Sequence, residues 1–246
     1  MDFIILAAGL GTRAKCDNTR QPKVLLEAPN GRSLLVNTLE QIRLYAEGHS
    51  IRVVMGYRHQ LIEDEISDFL NTHVDMPSIE LVHNQIYERG VITSLACGIR
   101  ELNQDITILN GDTVYSPEVF QTLVNLREST LLGTEQNQDP DSVKIMTTGN
   151  RILNVGKQLT NYSHTSIGCL FLTKHHAAII QNYVEDLIEH HEDGKKIWHQ
   201  VINHLVDLGE VVQFQVMPTG CAFEIDTQKD YQDLFRKNIH KNLLDS

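Results

Sequence analysis

The sequence predicts an α/β fold: three layers, a Rossmann-like mixed but mainly parallel sheet, helices on both faces, and a smaller, less regular lobe toward the C-terminus. Three observations predict it. Apolar runs alternate with helix-periodic segments from residue 3 to residue 112. The first apolar run ends in glycines, as strands do where a parallel sheet opens onto a ligand crevice. Beyond about residue 130 the alternation gives way to short strands followed by helices.

FIILA (3–7) reads as a buried strand. SLLVNTLEQIRLYAEG (33–48) has apolar residues at helical spacing, opens on a Ser cap and stops at Gly48. IRVVMGY (51–57) is the next strand and HQLIEDEISDFLN (59–71) the next helix, with EDEISD on its exposed face. IELVHN (79–84), ITSLACGIREL (92–102) and DITILNGD (105–112) continue strand, helix, strand, which implies βαβ units. SVKIMTTGNRILNVGK (142–157) looks like two strands around a Gly149-Asn150 turn. TSIGCLFLT (165–173) is another strand, with helices near 174–190 and 195–207. EVVQFQVM (210–217) and CAFEIDT (221–227) are strands, and a last helix starts near Gln228. With no repeat and no low-complexity linker, residues 1–246 are expected to form one domain, in halves of roughly 1–130 and 131–246.

A net charge of −11 argues against nucleic acid and anionic membrane as partners, because both require clustered positive charge. Any anionic substrate must then be caught by a few placed Lys and Arg residues. No apolar run approaches the roughly 20 residues that span a bilayer, and the N-terminus lacks the basic region of a signal peptide. Cys16, Cys97, Cys169 and Cys221 are scattered, with no C-x-x-C pair, so reduced thiols and a cytoplasmic location are expected. Self-association into a homo-oligomer is left open.

FIILAAGLGTRAKCDNTRQPKVLLE (3–27) raises the central question, since Gly9, Gly11 and Ala14 trace the G-x-G-x-x-A outline of a dinucleotide loop. Such a loop must open a helix that packs on the sheet. RAKCDNTRQPK has no apolar stripe and runs into Pro22. The acidic residue expected about 20 positions on is also missing, because the second strand ends in Met55-Gly56-Tyr57. The phosphate-loop pattern G-x-x-x-x-G-K-[ST] is absent too. What remains is a glycine turn whose backbone N–H groups can point at phosphate oxygens, followed by Arg13 and then by Pro22-Lys23 ahead of a second strand-like run, VLLEA. Backbone donors plus two fixed cations suit a polyphosphate in an acidic protein.

Carboxylates complete the pattern. LNGDTV places Asp112 just past an apolar strand, after Gly111, and FEIDT places Glu224 and Asp226 two apart on one strand face. Mg²⁺ is held by one or two carboxylates while substrate phosphates and water fill its other positions. Asp112 and Asp226 could supply them from opposite sides of a crevice, with Glu224 assisting or holding a second ion.

Together these residues resemble the nucleotidyltransferase family that activates sugar phosphates and small phosphorylated alcohols. Its signature of strand, G-x-G-T-R, spacer and P-K corresponds to Gly9-Leu10-Gly11-Thr12-Arg13 and Pro22-Lys23. Its two metal aspartates correspond to Asp112 and Asp226. Within that family, KKIWHQVINHL (195–205) and ERGVITSLACGI look most like the phosphocholine and phosphonate cytidylyltransferases, although ERGVIT replaces their Asn-rich approach. No aromatic cage for a quaternary ammonium can be placed, though Tyr57, Tyr87, Tyr115, Tyr162 and Trp198 are available.

The resemblance implies an Mg²⁺-dependent transfer of a nucleotidyl group, CMP from CTP above all, to a small phosphate or phosphonate such as phosphocholine or 2-aminoethylphosphonate, with release of pyrophosphate. It implies nucleotide contacts at Leu6, Ala7, Ala8, Gly9, Gly11, Thr12, Gly111 and Ser94, the last from a Ser-Leu pair that opens a helix. Arg13 and the loop amides would hold the β- and γ-phosphates, and Lys23 would stabilise charge at the α-phosphate. Lys157, in RILNVGK, would neutralise the acceptor, with Lys144 as the alternative. The second half thereby becomes the acceptor-side, metal-completing lobe. Competing readings are a hexose-1-phosphate transferase using UTP or another NTP, and a non-catalytic nucleotide-binding regulatory subunit. The histidine-rich EHHEDGKKIWHQVINH (189–204) lacks the H-E-x-x-H zinc pattern and reads as a solvated face.

Overall fold

The computed structural model describes residues 1–11, 21–73, 75–136, 139–191, 194 and 196–236. Its first half contains β1 (Asp2–Ala7), α1 (Leu34–Tyr45), β2 (Ser50–Met55), α2 (His59–Thr72), β3 (Ile79–His83), α3 (Val91–Ile99), β4 (Ile106–Asn110), β5 (Thr113–Tyr115) and α4 (Pro117–Leu123). The second half contains β6 (Thr130–Glu135), β7 (Lys144–Thr148), β8 (Arg151–Gly156), β9 (His164–Leu172), α5 (Lys174–Glu189), α6 (Val201–Asp207), β10 (Gln213–Val216), β11 (Ala222–Glu224) and α7 (Gln228–Arg236).

Alternation along β1 sets the layers. Phe3, Ile5 and Ala7 enter one apolar core while Ile4 and Ala8 enter another. The first core is closed by Leu35, Leu39 and Ile42 of α1, Ile62 and Ile66 of α2, and Phe120 of α4. The second is closed by α3, α5 and α6, through residues such as Leu95, Ile180 and Ile202. Helices therefore cover both faces of the sheet, as the sequence predicts. Ser33 caps α1 as expected, its side chain accepting the Val36 N–H.

The sheet has nine strands in the order β3-β2-β1-β4-β9-β6-β10-β8-β7, and β7 also pairs with the start of β9. Strands β3, β2, β1 and β4 are parallel to one another. Strand β9 runs antiparallel to both β4 and β6, and the β7–β8 hairpin is antiparallel. The sheet is thus mixed rather than mainly parallel. The reversals sit at β9, which opposes both of the strands flanking it, and at the β7–β8 hairpin, where a tight turn returns the chain.

A second correction concerns VLLEA. Lys23–Leu25 forms a 3₁₀ turn instead of a strand-like run, with the Leu25 N–H bonded to the Pro22 carbonyl at 3.0 Å. Pro22, Val24 and Leu25 are buried, so the turn is fastened to the core on both sides of Lys23. Among the described residues, no helix is long and apolar enough to cross a membrane.

Candidate active site

The carboxyl ends of β1 and β4 lie side by side, with Leu6 opposite Asn110. Just past β4 the Gly111 N–H bonds the Leu6 carbonyl at 3.1 Å. A Cβ on Gly111 would stand 2.7 Å from that oxygen, so only glycine lets the chain turn here. The turn delivers Asp112. Strand β5, which follows it, pairs antiparallel with β11, setting Thr113 opposite Glu224. The Ile225 N–H bonds the Asp112 carbonyl at 3.0 Å. This small two-stranded sheet brings Asp112, Glu224 and Asp226 together, with carboxylate oxygens within 4.8 Å of one another.

Lys23 enters this cluster from the 3₁₀ turn. Its Nζ donates to Asp112 Oδ2 at 2.6 Å and to Asp226 Oδ1 at 3.0 Å. Burial by itself would lower the Lys23 pKa, but the two carboxylates outweigh it and the ammonium is held above its ordinary value. Glu224 is an exposed residue, yet surrounding protein crowds its carboxylate. That crowding, followed by repulsion from Asp112 and Asp226, raises it to about 8. The cluster thus holds more negative charge than one lysine balances. Three convergent hard oxygen donors with surplus charge fit a divalent cation of the Mg²⁺ type.

The cluster forms the floor of a crevice of about 470 Å³. Leu6, Ala7, Ala8, Gly9 and Gly11 line one wall with Ser94. Gly11 is left-handed (φ 59°), and a Cβ there would lie 2.9 Å from Lys23 Cβ. Among the described residues, nothing lies within 4 Å of a Cβ built on Gly9, which is itself exposed. Ser94 is the fourth residue of α3 rather than its opening, and its Oγ accepts from Asn84 Nδ2 at 3.0 Å. Thr12 and Arg13 lie outside the described residues.

The two candidate acceptor lysines part company. Lys157, just beyond β8, lines the crevice, and its charge acts on both Glu224 and His199. Lys144 is not among the lining residues; its ammonium sits over the Tyr162 ring, 5.3 Å from the centroid.

Asn110, Ser166 and His199 also line the crevice without having been sequence-derived candidates, and Trp198, named there only as an available aromatic, joins them. Trp198 donates from Nε1 to Asn110 Oδ1 at 2.8 Å and stacks on His199, ring centroids 3.7 Å apart. His199 Nε2 lies 3.0 Å from Ser166 Oγ, which also accepts the Gly168 N–H at 3.0 Å. Burial, then the neighbouring Lys157 charge, pushes His199 down to about 3, so its imidazole is neutral. Asn110 stands directly before Gly111-Asp112, a placement that could have flagged it. Ser166 and His199 carry no local signal, because only the sheet brings β9 against residues 198–200.

This geometry agrees with what the chain is similar to. The family model described as a MobA-like NTP transferase domain matches residues 3–141, more than half of the chain. The 2-aminoethylphosphonate cytidylyltransferase of Lancefieldella rimae is 26% identical over 210 residues, covering 83% of this chain and 80% of that one. The CTP:phosphoglutamine cytidylyltransferase of Campylobacter jejuni is 24% identical over 175 residues, covering 66% and 68%. The bifunctional protein GlmU of Methanococcus maripaludis is 25% identical over 155 residues, and the match spans only 35% of that longer relative. Among solved structures, the CTP:phosphocholine cytidylyltransferase of Streptococcus pneumoniae shares the fold with a TM-score of 0.78 over 96% of this chain and 98% of that one, at 19% identity. The chain belongs to the MobA-like NTP transferase family and is a nucleotidyltransferase with cytidylyltransferase relatives.

Proposed function

We propose that this protein transfers CMP from CTP to a small phosphate or phosphonate, of the size of phosphocholine or 2-aminoethylphosphonate, and releases pyrophosphate. The observation that carries the reading is the Lys23 ammonium fixed between Asp112 and Asp226 in a crevice that Lys157 also lines. Cytidylyltransferase relatives favour CTP as the donor. A cytoplasmic setting, where both substrates are formed, fits the buried free thiols of Cys169 and Cys221.

The acceptor oxygen attacks the α-phosphorus in line, opposite the departing pyrophosphate. A phosphate monoester has its second pKa at about 6, so the nucleophile is already anionic and no general base is needed. His199, pushed down to about 3, is too weak a base to take a proton and is a wall of the acceptor end. The task is to bring two anions together, and positioning plus charge neutralisation accomplishes it. Backbone N–H groups around Gly9–Gly11 face the triphosphate, Lys23 stabilises charge at the α-phosphate, and Lys157 offsets the acceptor's charge. Asp112, Glu224 and Asp226 would hold Mg²⁺, which when bound neutralises triphosphate oxygens and polarises the reacting phosphorus.

The test is pyrophosphate release over a grid of four NTPs against phosphocholine, 2-aminoethylphosphonate, other phosphonates and sugar phosphates, with and without EDTA. Release with CTP and a phosphate or phosphonate of that size, abolished by EDTA, is expected. Preference for UTP with a hexose 1-phosphate, or no release with any pair, would overturn the reading.

A further inference from the structure

Among residues that do not line the crevice, three metal-ligating side chains converge where α5 begins. His175 and His176 sit in its first turn, and Glu210 comes from the segment between α6 and β10. His176 Nε2 is 3.1 Å from Glu210 Oε2, and His175 Nε2 is 3.4 Å from Glu210 Oε1. The three donor groups lie within 4.8 Å of one another. We propose that His175, His176 and Glu210 form a binding site for one divalent transition-metal ion of the zinc class, which clips the start of α5 to the segment entering β10.

Spacing supports this first. Ligand bonds of about 2.0–2.1 Å in a tetrahedral site put neighbouring donor atoms roughly 3.3 Å apart, and both measured separations bracket that value. Donor chemistry supports it second. Two imidazoles and one carboxylate favour Zn²⁺, Co²⁺ or Ni²⁺, whereas Mg²⁺ prefers oxygen alone.

Orientation supports it third. The other nitrogen of His176, Nδ1, lies 2.7 Å from Ser129 Oγ, which leaves Nε2 for an ion. Ser129 Oγ also accepts the Thr173 N–H at 2.9 Å, so the serine is itself fixed by the residue that caps α5. His176 and Ser129 are both buried, which preorganises one ligand before any ion arrives. His175 is exposed and leaves a fourth position open to water.

The whole chain would be titrated with Co²⁺ and with Zn²⁺ in excess Mg²⁺, which saturates the crevice carboxylates. Absorption of bound Co²⁺, calorimetry and thermal melting supply three readouts, none requiring enzyme activity. One ion per chain is expected, with a tetrahedral Co²⁺ spectrum that Zn²⁺ abolishes and a melting temperature raised by Zn²⁺. His175→Ala, a change at an exposed side chain, should weaken binding at least about tenfold, as should Glu210→Gln. His190→Ala, on a histidine outside the cluster, should leave it unchanged. Absence of binding to the wild-type chain, or equal binding by wild type, His175→Ala and Glu210→Gln, would overturn the site.

Discussion

Lys23 Nζ donates to Asp112 Oδ2 at 2.6 Å although 89 residues separate the two in sequence. The contact joins the glycine-loop end of β1 to the turn after β4, and a second bond to Asp226 adds the last part of the chain. Lys23 therefore offsets part of the charge of a carboxylate cluster, and under the proposed function it meets developing phosphate charge. Lys23→Ala should lower turnover by roughly 10²–10³-fold, as expected for one such stabilising donor. Near-normal kcat at saturating substrates would remove Lys23 from that role.

Asp226 shares the Lys23 ammonium with Asp112 and lies within ligand reach of Glu224. Asp226→Asn removes a charged oxygen donor while keeping the shape. The Mg²⁺ concentration for half-maximal activity should rise by at least about tenfold, the scale on which lost metal-site partners act. A superimposable Mg²⁺ titration would exclude Asp226 as a ligand.

Gly11 meets two constraints at once. Its φ of 59° is costly for any residue with a Cβ, and that Cβ would be pressed to 2.9 Å from Lys23 Cβ. Gly11→Ala should cost about 1–2 kcal/mol of stability through the backbone. It should also lower kcat, because the near neighbour that must yield is Lys23. Urea melts and kinetics on one preparation check both; lost stability with unchanged kcat would show that Lys23 tolerates the shift.

Much of this was legible in the sequence wherever periodicity is long enough to register. Strands β1, β2, β3, β4 and β9, helices α1, α2 and α5, and the Gly149-Asn150 hairpin turn occupy their expected stretches. Asp112, Asp226 and Lys23 were singled out together by their resemblance to the nucleotidyltransferase signature, with Glu224 two residues before Asp226. Their approach to one crevice was anticipated but not its means, the pairing of β11 with β5, a strand of only three residues. Such strands are too short for a two-residue alternation to stand out. The 3₁₀ turn at Lys23–Leu25 was hidden for the same reason, as a single turn has no repeat. The hydrogen bond between Trp198 and Asn110 spans 88 residues and has no local trace.

Lys157 was the sequence's first choice for the acceptor's cation and Lys144 its alternative, and the two differ in place. Lys157 lines the crevice, while Lys144 lies over Tyr162. Lys157→Ala should raise the KM for the acceptor by at least about tenfold while the KM for CTP stays put, the loss of one charge partner to a phosphate. Lys144→Ala should change both by less than about twofold, since surface cation–π contacts contribute only about 0.5–1 kcal/mol to the fold. An inverted pattern, with Lys144→Ala affecting acceptor KM, would reassign the acceptor's cation.

His199 links the crevice wall to acid sensitivity. In the unfolded chain its pKa is near 6.5, and in the fold burial and Lys157 bring it to about 3. Between those values the unfolded state binds the extra proton, so native stability rises with pH through this window. The contribution is intact above pH 6.5 and is lost progressively as pH falls toward 3. At pH 5 the loss relative to neutral pH is about 2 kcal/mol. His199→Gln keeps an amide N–H able to reach Ser166 Oγ, but cannot titrate. Urea unfolding at pH 7 and pH 5 should therefore show a drop in stability about 2 kcal/mol smaller for His199→Gln than for the wild type. Equal drops in the two proteins would mean that the imidazole takes up its proton in the native state, and that the wall between Ser166 and Trp198 is wetter than its burial indicates.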